Sequence, residues 1–422
     1  MADFIGISAL ETIANKVSPQ IIMGAAHFRP DVFTRMKINV ETGVQYQSTK
    51  TVLLRKGHTT VKKKVGSEIN NTIGFMLERK CNTSLMWNRY KDNKDNYREL
   101  AVVDASDNTK FNYPLSTLAI TAVLANYGED VFDCLWHGDE SIDEKDEKRG
   151  YLAGMDGFIT NINKDLAKGY ISEAFGNYVK VGTIEAPAGK DDTGAYDEFC
   201  KFRDGWSQNL KNAKEVLVYC SEETGTAIAR AYKNANGGFD KVKYNADDTY
   251  KFDEWRNVTI VPESSFGKGD RLIATIPFNF DYCVDSLDSR NGVFVQIGSD
   301  KDAMDIHFQV QSVQGTRVVN IASSYFCMSD GQLMPNDLAG DYTKDVFVVT
   351  SNNETLGKVK VNESTPDNTK GYASGTSLSL KAEAESTGKF VAWSDGNKEA
   401  TRTVVTNGQP GGLMAIFERN DG

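Results

Sequence analysis

A break in residue pattern near residue 330 constrains this chain more than any other feature. Up to Phe326, helical and strand-like periodicities alternate. From Met328 to Asp341 the chain reads MSDGQLMPNDLAGD, dense in the residue types that favour turns over regular elements. Beyond it, residues 345–422 offer only short strand-like runs rich in Thr, Ser, Asn and Gly, with no helix signal. A chain of 422 residues also exceeds what one core ordinarily serves. The break therefore predicts a small all-β domain over 345–422. A linker over 331–344 joins it to a larger part of α+β class.

Within the larger part, residues 1–43 hold short apolar runs with little periodicity and read as an N-terminal arm. The string VQYQSTKTVLL from Val44 to Leu54 is extended in character; Gly57 and His58 interrupt it, and Thr59, Thr60 and Val61 resume it. Strand, turn and strand predict an extended hairpin loop over 44–67. Between Lys50 and Lys64 lie Lys50, Arg55, Lys56, Lys62, Lys63 and Lys64 and no acid, in a chain whose net charge is −10. Such a segment is either a solvated basic loop or one that rests on a neighbour's acidic surface. Six acids, Asp139, Glu140, Asp143, Glu144, Asp146 and Glu147, crowd 139–147 and read as an exposed charged linker.

Tyr113 and Pro114 mark an element boundary. Ser116 or Thr117 can cap the helix that follows, whose apolar face includes Leu118, Ala122 and Ala125. The rest of 68–150 forms one domain with this helix. Residues 151–304 read as a mixed α/β domain. Tyr196, Phe199, Phe202, Trp206 and Leu210 predict a helix over 195–210 with an aromatic core face. Val216 to Cys220 is a continuously apolar strand, and Ser221 caps the next helix, with Glu222 and Glu223 suited to its positive end. Strands are expected at 257–262, 271–277, 293–297, 305–313 and 316–326. Ile306, Phe308 and Val310 alternate with His307, Gln309 and Gln311, so one face of that strand is wet.

Chemistry is sparse. The four histidines have no metal-ligand spacing, and no phosphate-cradling glycine loop or nucleophile elbow occurs. No catalytic, cofactor or metal residue is assigned, and no enzyme activity or cofactor is expected. The six cysteines lie far apart without a CxxC pair, so reduced thiols are expected. A pI of about 5.1 argues against a nucleic-acid-gripping protein. Met1 to Leu10 lacks the features of a signal peptide, and no apolar run reaches the roughly 18 residues of a membrane span.

Several strings carry a resemblance. FNYPLSTL from Phe111 precedes a helix ending in VFDCLW at Trp136. YLAGMDGF runs from Tyr151 to Phe158, WRNVTIVP from Trp255 to Pro262, and IPFNFDYCVD from Ile276 to Asp285. In these strings and in its element order, the chain over 1–335 resembles the major capsid proteins of tailed bacteriophages, the Hong Kong ninety-seven-type fold also found in encapsulins. That resemblance implies an arm (1–43), an extended hairpin loop (44–67), a peripheral domain with a long helix (68–150), an axial α/β domain (151–304), and return strands of the peripheral domain (305–330). One departure is the lack of a long charged helical segment before residue 40, so no fused scaffolding domain is visible. GTSLSLKAEA from Gly375, GKFVAWSDG from Gly388, TRTVV from Thr401 and LMAIF from Leu413 resemble the internalin B-repeat-like, immunoglobulin-like β modules of bacterial surface proteins. Phe390, Trp393 and Phe417 are the expected core of that domain, with a turn at Asp395 and Gly396.

The resemblance implies a structural subunit that self-assembles through hexamers and pentamers into an icosahedral shell enclosing phage DNA. Its implied partners are other copies of itself, scaffolding and portal proteins, auxiliary or head-fibre proteins, and packaged DNA through non-specific contact, with no membrane. It implies a place in the virion after assembly in the host bacterial cytoplasm. The alternative is a tail-tube or cell-surface adhesin-type structural protein.

Overall fold

The computed structural model describes residues 30–55, 74–93, 115–146, 149–236, 242–285, 292–297, 305–335, 344–368, 370–373, 375–406 and 411–420. It begins with helix α1 (Pro30–Met36) and strand β1 (Asn39–Thr42). The two strands of a ribbon follow, β2 (Gln47–Arg55) and β3 (Gly74–Asn82), then β4 (Ser84–Asn93) and the long helix α2 (Leu115–His137). Next come α3 (Phe158–Ala167), β5 (Tyr178–Val179), α4 (Gly194–Asp204), α5 (Gln208–Lys211), β6 (Val216–Ser221) and α6 (Glu222–Asn236). Short strands β7 (Val242–Tyr244), β8 (Tyr250–Phe252), β9 (Val258–Glu263) and β10 (Ile273–Thr275) lead to β11 (Phe280–Val284), β12 (Gly292–Ile297), β13 (Asp305–Val318) and β14 (Phe326–Ser329). The last group is β15 (Lys344–Ser351), β16 (Gly357–Val361), β17 (Gly371–Ala373), β18 (Ser377–Ala384), β19 (Gly388–Trp393), β20 (Thr401–Val405) and β21 (Gly411–Arg419). The class is α+β.

Contacts divide the chain into two units. The first comprises Met1–Thr49, Lys80–Phe158 and Phe280–Arg317. Its sheet runs β1-β11-β13-β12, and β4 pairs along β13 from Ser84 opposite Gln314 to Asn93 opposite Asp305. Leu124, Tyr127, Val131 and Leu135 recur three or four apart on α2 and are all buried, which gives the helix its inward face. The Tyr127 hydroxyl reaches Ser312 Oγ on β13 at 2.7 Å. At the end of α2, Trp136 meets Phe158 and Phe280 edge-on at 5.5 and 6.1 Å. The GMDG string explains itself here, because a Cβ on Gly157 would stand 2.4 Å from the Trp136 carbonyl oxygen.

The second unit comprises Lys50–Arg79, Ile159–Asn279 and Val318–Gly422. Its larger sheet has the order β5-β14-β10-β6-β9-β8-β7. Strand β6 is buried at every position, parallel to β9 and antiparallel to β10, as its unbroken apolar run requires. Ser221 accepts from Thr224 N at 3.2 Å and caps α6. Phe199, Phe202, Trp206, Ile228, Tyr232 and Phe252 belong to one core cluster, with the Tyr232 and Phe252 rings stacked at 4.0 Å.

The strands after residue 344 pair only among themselves, as a four-stranded sheet β17-β15-β21-β19 and a three-stranded sheet β16-β18-β20. Trp393 and Phe417 lie in the core between them, and Phe390 packs at its edge, 5.8 Å from Trp393 and 5.7 Å from Phe417. The indole Nε1 donates to the Glu399 carbonyl at 2.8 Å. Gly396 closes the turn at φ +84°, its N–H bonded to the Trp393 carbonyl. This β module also touches its own unit, since Ala174 N donates to the Ser394 carbonyl at 3.2 Å.

Four expectations are corrected. The hairpin's second strand is Gly74–Asn82, beyond the expected 44–67. The helix over 195–210 is broken at Gly205, where a Cβ would lie 2.4 Å from Val179; Ser207 then caps a new turn by accepting from Leu210 N at 3.3 Å. Strands 305–313 and 316–326 are one strand as far as Val318, and Gly315 serves close approach to the Asn82 carbonyl rather than a turn. Strand β14 lies in the second unit's sheet between β5 and β10, so 305–330 is not one set of return strands.

Candidate functional site

The basic hairpin was the leading candidate surface. Lys50 lies half-buried on β2 and Arg55 ends that strand. Lys56, Lys62, Lys63 and Lys64 fall in the connection between β2 and β3, outside the described residues, as does the side chain of Arg55. The acidic segment is described from Asp139 to Asp146, and it is no loose linker. Asp139, Asp143 and Asp146 each accept a backbone N–H two or three residues on, from Ser141, Lys145 and Arg149, at 2.9, 3.0 and 3.1 Å. These Asx turns fold the acids into a compact exposed loop. Ser84 Oγ at the start of β4 donates to Glu140.

The best-organised polar group in the first unit is one that sequence reasoning missed. Arg317 on β13 and Asp281 on β11 are each 1% exposed at the side chain. Arg317 Nε donates to Asp281 Oδ2 at 3.0 Å, and Nη2 reaches both Asp281 and Glu41 Oε2, the latter at 2.6 Å. Its Nη1 donates to the carbonyl and hydroxyl oxygens of Ser48, both at 3.1 Å. Ser48 Oγ in turn donates to Glu41 Oε1 at 2.8 Å, and Asn39 donates to Asp281 Oδ1 at 2.9 Å. Five side chains from β1, β2, β11 and β13, those of Asn39, Glu41, Ser48, Asp281 and Arg317, thus form one network around the guanidinium. A buried charge survives only when paired and hydrogen-bonded, so this cluster dictates how the base of the ribbon meets the sheet. The only local signal was the Asp in the IPFNFDYCVD string; its partner lies 36 residues away.

In the second unit, Arg79 on β3 pairs with Asp165 on α3 at 2.7 Å and donates to the Val318 carbonyl at 2.8 Å. Exposed apolar side chains stand just before β2, on β3 and on β4. Tyr46 is 77% exposed, Met76 74% and Trp87 55%, which is unusual for large apolar groups on a sheet surface.

Little here is arranged for covalent chemistry. Burial pushes the Cys134 and Cys327 thiols up and that of Cys220 up to about 12, the opposite of a nucleophilic thiolate. A cleft at the N-terminus of α6 is lined by Ile184, Glu222, Glu223, Arg230 and Asp330. Its buried hydroxyl, Thr224 Oγ1, donates to the Gly269 carbonyl at 2.8 Å. Among the described residues, no group of His, Cys, Asp and Glu is placed to hold a metal ion. No described helix is long and apolar enough to cross a membrane.

No protein-family model and no curated protein sequence matches the chain. Solved structures of similar shape include the satellite phage P4 procapsid with its size determination protein, at 10% identity and TM-score 0.43, covering 78% of this chain and 91% of that one. The cyanophage A-1(L) capsid aligns at 11% identity and TM-score 0.45, covering 71% of this chain and 92% of that one. An encapsulin complex from Synechococcus elongatus PCC 7942 aligns at 10% identity and TM-score 0.40, covering 71% of this chain and 87% of that one.

Proposed function

We propose that this chain is the major shell subunit of a tailed bacteriophage, of the Hong Kong ninety-seven type, which assembles with copies of itself into an icosahedral capsid around DNA. The observation that carries the reading is the nesting of the two units. An N-terminal segment, a ribbon, a sheet strand and a long helix come first; an α/β unit is then inserted; and β11 to β13 return to complete the first unit's sheet. That is the order the sequence strings imply for this family. Buried thiols and committed hydroxyls support a structural role over a catalytic one. Pentameric and hexameric rings, separate scaffolding and portal chains, auxiliary or head-fibre proteins and loosely held DNA complete the proposal. It places the chain in the virion, after assembly in the host bacterial cytoplasm. The module over 345–422 is read as an outward-facing immunoglobulin-like domain: its eight basic and ten acidic residues give −2, whereas a surface laid on DNA would carry positive charge. Electron microscopy of the protein co-expressed with its scaffold should show closed shells. Tubes would support the tail-tube alternative, and persistent monomers would defeat the proposal.

The basic hairpin belongs to the same proposal as a contact with acidic groups of an adjacent subunit. Exposed pairs contribute about 0–1 kcal/mol each, so single changes at Lys50, Arg55 or Lys56 should alter particle yield little. A shell repeats every contact many times. Reversing Lys62, Lys63 and Lys64 together to Glu is therefore expected to reduce particle yield sharply, as read by sedimentation. A normal yield would remove the hairpin from the assembly contacts.

A further inference from the structure

Two of the chain's six cysteines are placed to be joined. Cys81 lies on β3 and Cys283 on β11. Both are fully buried, and with Val44 they form one cluster at the base of the ribbon. The two thiols are near enough in that cluster for Cys283 to raise the pKa of Cys81. The other thiols have different surroundings: Cys134 donates to the Tyr151 carbonyl at 3.0 Å, and Cys220 and Cys327 lie among the aromatic core of the second unit.

We propose that Cys81 and Cys283 are the site of an intramolecular disulfide, which ties the return strand of the ribbon to the strand that pairs with the N-terminal segment. The oxidant required is a low-molecular-weight disulfide such as oxidised glutathione. One protein thiol loses its proton and attacks a glutathione sulfur, giving a mixed disulfide and releasing one glutathione thiolate. The second protein thiol loses its proton and displaces the remaining glutathione. Two protons and two electrons leave the protein, one S–S bond forms in it, and one S–S bond is consumed.

The surroundings set the rate and the effect. The neighbouring Cys283 thiol, together with burial, holds the Cys81 thiol well above its ordinary pKa, and the nearby Arg317 guanidinium opposes this only in part. Attack therefore proceeds when the base of the ribbon opens, and it is slow in the closed chain. Once formed, the bond is shielded by the same burial. It also closes a loop of 202 residues (283 minus 81), and long loops are those whose closure restrains the unfolded chain most.

The test uses the full-length chain, purified with reductant, transferred either to oxidised glutathione or to fresh reductant, then unfolded in an alkylating agent and digested. Oxidation should yield four alkylated cysteines, a linked peptide pair containing Cys81 and Cys283, and a thermal midpoint about 5–10 °C higher, all reversed by dithiothreitol. Cys283→Ala should abolish the linked pair and the shift, while Cys134→Ala should keep both. If Cys283→Ala does not fold, the peptide map of the parent chain decides alone. Full alkylation of both cysteines after exhaustive oxidation, a different pairing, or glutathione adducts only would overturn the proposal.

Discussion

Trp393→Ala is expected to unfold the β module at temperatures where the rest of the chain stays folded. Trp393 is fully buried among Val349, Leu378, Leu380, Ala415 and Phe417. Truncating a buried ring of this size costs about 3–5 kcal/mol, and a domain of this length is held by an amount of the same order. The change also leaves the Glu399 carbonyl without its indole donor. Trp393→Phe keeps most of the packing and should be milder. On the proposed reading as a shell subunit, limited proteolysis of assembled particles reads the effect. Selective loss of 345–422 with intact shells would show that the module is a pendant domain. Collapse of the particle would show that the contact from Ala174 to Ser394 belongs to the framework of the subunit.

Arg317→Met should destabilise the first unit by about 3–5 kcal/mol, because it removes the guanidinium with which the buried Asp281 carboxylate pairs. Glu41, at 29% exposure, can turn toward water, whereas Asp281 at 1% is sealed. The loss is therefore specific to one carboxylate. Replacing both members, Arg317→Met with Asp281→Leu, removes the buried charge altogether and should recover most of the stability. Guanidinium unfolding followed by tryptophan fluorescence measures both variants. Equal midpoints for the parent and the single variant would mean that the cluster adds nothing to stability.

Much of the second unit was legible because its signals are local. The unbroken apolar run of β6, the Ser221 cap and the aromatic spacing of α4 each lie within a few residues; the first two led to the right element, and the third to a helix that in fact ends at Asp204. Strands β3 and β4 were missed for a physical reason. On β3 the buried positions are Leu77, Arg79 and Cys81. The arginine breaks the apolar alternation, and only the distant Asp165 and Val318 make its burial tolerable. On β4 the rule is inverted, since Trp87 and Leu85 face outward while Asn88 and Tyr90 lie on the covered side with Met86. The Arg317 cluster was invisible because its members come from four strands spread from Asn39 to Arg317. No residue-by-residue pattern pairs them. The six basic positions of the hairpin were legible as charge alone.

The interrupted first unit also sets a timetable. Strand β1 has its neighbour in β11, and β4 has its neighbour in β13, so both are synthesised with their pairing edges bare. The partner of β1 follows after 237 residues (43 to 279) and that of β4 after 211 (94 to 304), which at ordinary elongation rates is a wait of about 10–50 s. During that interval β6 to β10 of the inserted α/β segment can pair, although β14, which lies between β5 and β10, is made only after β13; the earlier strands meanwhile remain available to any other nascent copy. Polysomes bring such copies close together. Mispairing between chains, not failure of either core, is then the main hazard in making this protein, and slower initiation should raise the soluble yield more than lower temperature alone.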